Sequence, residues 1–145
     1  MAKRPKSAFD SLMELLARRD HSELELRKKL LRRYSSSEVE LALRKAKEQG
    51  WLLPPETLSE KVASTLSRKM KSNRYINGYL RQRGLPPLTS NPDEELEKAR
   101  RFIQNKTSRS KKALDKAKAA RLLASRGFDA ETIRKVLYEE FGDSS

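Results

Sequence analysis

Apolar residues recur along this chain at three- and four-residue intervals from one end to the other, and nowhere in strict alternation. That period belongs to helices with one buried stripe, so helices are expected throughout and strands nowhere. Ser7 to Asp10 can form a capping box, after which Phe9, Leu12, Met13 and Leu16 fall on one face. Ser22 with Glu25 three residues on opens a second helix, followed by Leu26, Leu30 and Leu31. The Ser35-Ser36-Ser37-Glu38 cluster opens a third with Val39, Ala42, Leu43 and Ala46 inward. Gly50 should stop it in the left-handed conformation, with Trp51 folding back as the hydrophobic partner.

Pro54-Pro55 starts a fourth helix carrying Leu58, Val62, Leu66 and Met70, and Ser72 and Asn73 cap a fifth bearing Ile76, Tyr79 and Leu80, ended by Gly84. Leu85-Pro86-Pro87-Leu88-Thr89-Ser90 cannot continue a helix and reads as a linker. Asn91-Pro92-Asp93-Glu94-Glu95 combines a cap, a proline at the first position and acids against the dipole, leading into Leu96, Ala99, Phe102 and Ile103. A polar gap, Gln104 to Ser110, is expected before a seventh helix ending at Gly127. Asp129 caps an eighth with Ile133, Val136, Leu137 and Phe141 inward.

Laid on itself, the chain repeats. Leu26-x3-Leu30-x2-Arg33, Ile76-x3-Leu80-x2-Arg83-Gly84 and Ala119-x3-Leu123-x2-Arg126-Gly127 share two apolar residues a turn apart, then an arginine at the helix end. Each instance sits in a helical unit too small to be stable alone, which implies neighbours that pack on one another. The expectation is an all-α fold: an elongated tandem array of about three three-helix repeats, eight helices in all, with the second repeat divergent. The divisions are a basic tail over 1–7, repeats over 8–51, 52–91 and 92–145, and a proline-rich linker at 85–91.

Composition agrees with small stripes rather than one large core. Leu, Ile, Val and Phe together lie just above the level below which disorder becomes the default, and 37% of the 145 residues are charged. Lys and Arg number 33 against 20 Asp and Glu, a net charge of +13. Such a chain repels itself when compact, and a polyanion relieves that repulsion. A membrane surface is a poor alternative, because no basic helix carries a broad aromatic-rich apolar face. Without cysteine, disulfides, thiolate chemistry and Cys-based zinc sites are excluded. No apolar run is long enough to span a bilayer, and no apolar segment follows the basic Lys3-Arg4-Pro5-Lys6 start, so cytoplasm is the expected compartment.

Catalytic chemistry has little to stand on. The single histidine, His21, lies between two capping residues at a helix start, and Asp20 is expected to serve as a cap rather than to orient it. Acidic residues gather at helix starts, where the dipole accounts for them. No Gly-x4-Gly-Lys-Ser/Thr loop is present. The chain is expected to be neither an enzyme nor a holder of any metal or cofactor.

The run Ala17-Arg18-Arg19-Asp20-His21-Ser22-Glu23-Leu24-Glu25-Leu26-Arg27-Lys28-Lys29-Leu30 closely resembles the first-repeat signature of the RecX regulatory proteins. Gly50-Trp51-Leu52 resembles the Gly-aromatic-Leu that introduces that family's second repeat. Asp115 to Phe141, with Leu122-Leu123, Arg126-Gly127-Phe128 and Ile133, resembles its third. The likeness runs in order from about residue 8 to residue 142. It departs where the family commonly has acids and this chain has Leu53 and Pro54, and where Met70-Lys71-Ser72-Asn73 replaces a Gly-x-Gly-Pro turn. The third helix of the second repeat is eroded into Leu85–Asn91. The resemblance implies a bacterial modulator of RecA, usually an inhibitor, that lies in the groove of the RecA–DNA filament and contacts DNA in recombination and repair. Nothing in the sequence demands a dimer, so a monomer is expected.

The residues offer matching contacts. Arg27, Lys28, Lys29, Arg32 and Arg33 follow the stripe of the second helix. Arg68, Lys69, Lys71 and Arg74 surround the turn into the fifth, with Arg81 and Arg83 near its end. Arg109, Lys111, Lys112, Lys116, Lys118 and Arg121 crowd the seventh, with Arg126 at its end. One such run alone is an ordinary solvated face. Three at related positions of successive repeats suggest a basic track neutralising phosphates of single- or double-stranded DNA regardless of sequence. Tyr75 or Tyr79 could stack on a base, with Tyr79 better used in the core. Few Asn or Gln residues accompany the arginines on any face, so base-specific readout is not expected. A plain DNA- or RNA-binding helical protein without a RecA target stays open on these residues.

Overall fold

The computed structural model describes residues 6–109 and 113–142, and these form eight α-helices and no strand. They are α1 (Ala8–Arg18), α2 (Glu23–Leu30), α3 (Ser36–Glu48), α4 (Pro55–Arg68), α5 (Asn73–Gln82), α6 (Pro92–Arg109), α7 (Lys116–Ser125) and α8 (Ala130–Phe141). Contacts divide the chain into two compact units: Met1–Glu60 with Leu80–Pro86, and Lys61–Tyr79 with Pro87–Ser145. Helices α4 and α5 contribute to both.

In the first unit α1, α2 and α3 pack mutually. Their starts are three capping boxes of one design, Ser7 with Asp10, Ser22 with Glu25 and Ser35 with Glu38, each satisfying two orphan amides reciprocally. The caps set each helix so that Leu12, Leu26, Leu30, Val39, Ala42, Leu43 and Ala46 close one core. Leu31 is left 46% exposed. In the second unit α6, α7 and α8 pack mutually around Ala99, Phe102, Ile103, Ala119, Leu123, Val136 and Leu137. Both apolar positions of the repeated pattern are buried in all three instances.

Four helix ends share one geometry. Gly50, Met70, Gly84 and Gly127 have positive φ, and the next amide reaches back five residues to the carbonyls of Ala46, Leu66, Leu80 and Leu123. This is the Schellman arrangement. Met70 is therefore not on the stripe of α4, as its spacing suggested. It lies beyond the helix end at φ 62, where a side chain is uncommon, and packs against the α6–α8 core. Trp51 also departs from expectation: its indole is 53% exposed with Nε1 donating to Gln49 Oε1, and Leu52 is the residue that seats on the core.

The gap expected from Gln104 is helix instead, since α6 continues to Arg109. Leu85 to Leu88 is non-helical but held: Leu85 is buried, Ser59 Oγ donates to the Pro86 carbonyl at 2.7 Å, and Asn77 exchanges two hydrogen bonds with the Leu88 backbone.

Candidate nucleic-acid interface

Burial of Leu26 and Leu30 turns the basic residues of α2 outward, but not all stay available. Arg27 donates to Glu40 at 2.7 Å and to Glu23 at 3.1 Å, and Lys47 meets Glu23 at 2.7 Å. These hydrogen bonds, Glu40's above all, raise the Arg27 pKa, and the Lys47 contact foremost holds Glu23 below the usual carboxylate range. Lys29 is also engaged. His21 is buried, its Nδ1 3.0 Å from the Arg19 carbonyl and its Nε2 3.1 Å from Lys29 Nζ. A carbonyl only accepts and an ammonium only donates, so the imidazole is neutral with its proton on Nδ1. Burial is the main cause of its lowered pKa. The cap at this corner is Ser22, not Asp20. Lys28, Arg32 and Arg33 remain, all exposed and in no ion pair among the described residues.

In the second unit the turn after α4 docks on the turn after α7. The Ser72 amide donates to the Arg126 carbonyl at 3.0 Å, and a Cβ on Gly127 would lie 2.8 Å from both Ser72 Oγ and Tyr75 Cβ. Ser72 Oγ caps α5 through the Tyr75 amide. The Glu95 carboxylate of α6 accepts from the amides of Asn73 and Arg74, at 2.9 and 3.1 Å. Lys98 donates to the Lys71 carbonyl and Asn73 Oδ1, and burial is the first cause of its lowered pKa.

This scaffold gathers residues far apart in sequence. Lys71 Nζ sits 4.6 Å from the Tyr75 ring centre, Arg74 is exposed beside them, and the Arg126 guanidinium lies 5.2 Å from the Phe102 ring. Lys106, which sequence reasoning passed over, faces the same Phe102 ring at 5.7 Å. Arg126 Nε is buried without a hydrogen-bond partner among the described residues. The acids at this junction are already used: Glu95 caps α5, and Asp129 caps α8, where its bond from the Thr132 amide is the main reason its pKa is lowered.

The other candidates fall elsewhere. Arg68 ends α4 and contacts Thr65 Oγ1 at 3.4 Å, and Lys69 is exposed. Arg81 is exposed, and Arg83 is half-buried 3.9 Å from Glu25. Lys116, Lys118 and Arg121 line the outer face of α7 behind the Asp115 cap. Arg109 is the last residue of α6 rather than part of α7, and Lys111 and Lys112 lie outside the described residues. Sequence reasoning also missed Arg134, Lys135 and Tyr138 on α8, although their spacing on the polar side of the Ile133, Val136 and Leu137 stripe is readable. Among the described residues no group of three or more His, Asp or Glu could hold a metal ion, and no helix is long and apolar enough to cross a membrane.

Three comparisons bear on this architecture. The family pattern described as RecX, third three-helix domain, matches residues 93–137, within α6 to α8. The regulatory protein RecX of Chromobacterium violaceum is 33% identical over 94% of this chain and 93% of its own length. The chain belongs to the RecX family. The RecX proteins of Chlorobium phaeobacteroides, 30% identical, and Vibrio vulnificus, 28% identical, align over 94% and 92% of this chain and 95% and 93% of theirs. A crystal structure of regulatory protein RecX superposes with a TM-score of 0.65 at 20% identity, covering 89% of this chain and 70% of that one, and shares its fold of three-helix repeats. These relatives are named as regulatory proteins, not as catalysts.

Proposed function

We propose that this RecX-family protein regulates RecA, and restrains it, by binding the RecA–DNA filament with DNA contacts made through basic helix faces. It acts as a monomer without cofactor or catalysis, in the cytoplasm where RecA works, and its residues fall into three successive repeats after a basic tail. The family relation, which spans nearly the whole chain, supports RecA as the target. The observation supporting the mode of contact is the fate of the charges. Carboxylates are consumed by caps and by Arg27, Lys47, Arg19 and Arg100, while Lys28, Arg32 and Arg33 on one unit and Lys71, Arg74 and Arg126 on the other form no ion pair among the described residues. Cations in such positions displace counterions from phosphates without reading sequence.

Sedimentation with preformed RecA–single-strand filaments, with RecA alone and with naked DNA tests the reading. The protein should pellet with filaments at concentrations too low to coat bare DNA. Lys28→Glu with Arg32→Glu should weaken this while helix content is kept. Reversing Arg27 would be a poorer probe, since it would also break the Glu23 and Glu40 contacts. Equal affinity for filament and naked DNA would instead favour a plain nucleic-acid-binding module.

A further inference from the structure

The last helix carries a feature that the clusters above do not use. A cleft of about 430 Å³ lies between the first turn of α7 and the outer side of α8, a size within the range of small-ligand sites. Its floor is Leu137, which is 8% exposed and belongs to the core of this unit. Tyr138 stands at the cleft with 66% of its surface exposed, more than any other large apolar side chain among the described residues. Arg134 and Lys135, one turn back on the same helix, and Lys116 from α7 supply positive charge around it. The one carboxylate in the lining, Glu139, is held by Arg100 through two hydrogen bonds of 2.8 and 3.0 Å, and Lys135 meets Glu131 at 3.3 Å. Gly142 ends α8 at the rim, and none of the described residues lies within 4 Å of where its Cβ would be.

An exposed ring among cations, with no carboxamide in the lining, has a definite chemistry. The ring offers a flat face to any base and the cations attract the flanking phosphates, a combination that tolerates any sequence. Bases inside a duplex are covered by their neighbours, so this platform suits only an unpaired one. Tyr75 is less suited, because Lys71 already covers its ring and Gly127 packs against its Cβ. We propose that the Tyr138 cleft is a single-stranded DNA subsite, in which an unpaired base stacks on Tyr138 while Arg134 meets its phosphates. This rests on the DNA contact proposed above and adds to it a preference for unpaired strands.

The test is anisotropy of labelled oligothymidylate and of a duplex of equal length, with the full chain and its Tyr138→Ala and Tyr138→Phe variants at moderate salt. Tyr138→Ala should lose about fivefold or more in single-strand affinity, the low end of one stacked base, with duplex affinity unchanged. Tyr138→Phe should keep wild-type binding. Because the side chain is exposed, circular dichroism of the alanine variant should match wild type. If wild type binds the oligonucleotide and Tyr138→Ala binds it equally well, or loses duplex and single strand alike, the cleft is not a stacking site and the broader reading survives. If wild type binds neither DNA, the subsite and the proposed DNA contact fall together.

Discussion

His21 is the residue where burial and charge act together most clearly. Protonating it would place an Nε2–H against the Lys29 ammonium in a buried corner, so the folded chain resists the charge. With a folded pKa below the ordinary 6.5, the unfolded chain binds more protons in the window just under that value. Stability is therefore complete above about 6.5 and declines as pH falls below it. The paired carboxylates Glu23, Glu40 and Glu139, whose pKa values are lowered by Lys47, Arg27 and Arg100 respectively, add their own loss at more acid pH. Because the chain has one histidine, its ring protons can be followed by NMR without assignment. A midpoint below 6.5 is expected, and His21→Gln should flatten the fall in melting temperature between neutral and mildly acid pH. A midpoint at or above 6.5 would contradict the neutral, buried imidazole.

At the scale of the helix and its ends, Gly127 carries the junction between the turns that follow α4 and α7. Its φ of 92 and the 2.8 Å approach to Tyr75 Cβ leave no room for a methyl group. Gly127→Ala should cost roughly 1–2 kcal/mol for the left-handed backbone alone, with more for displacing Tyr75, read as a lower midpoint in urea. An unchanged midpoint would mean that the two turns are not locked together.

Helix starts were the most legible elements, because Ser7, Ser22, Ser35, Asn91 and Asp129 all cap through local hydrogen bonds that follow from neighbouring residues. Helix ends without glycine were harder. Met70 takes a conformation its spacing does not announce, because its side chain gains contact with the α6–α8 core. The last six residues of α6, from Gln104 to Arg109, are all exposed, so hydrophobic period has nothing to report there. The helix continues there through contacts that periodicity does not register: Thr107 and Ser108 donate back to the Ile103 and Asn105 carbonyls, and Gln104 meets Glu140. Trp51 is exposed for a related reason: apolarity alone does not say which of three neighbours, Trp51, Leu52 or Leu53, will find the core.

For the whole molecule, the outcome turns on which cations carry no acidic partner. Basic runs are visible in sequence, but the removal of Arg27 and Lys29 from the exposed set depends on Glu40 and His21, which only the packing of α2 brings within reach. The joining of Lys71 and Arg74 with Arg126 is likewise a tertiary event, made by the Ser72–Arg126 hydrogen bond. If these charges meet phosphates, DNA affinity should fall steeply and log-linearly with salt, and each reversed contact should reduce that slope by about one. A slope near zero would assign the surplus charge to solubility alone.

The most direct measurement of the central claim is ATP hydrolysis by RecA on single-stranded DNA while this protein is titrated in. Hydrolysis should fall at amounts well below those needed to coat the DNA, and Lys28→Glu with Arg32→Glu should require more protein for the same effect. Undiminished hydrolysis, or a decline only once the strand is covered, would contradict a regulator that works on the filament.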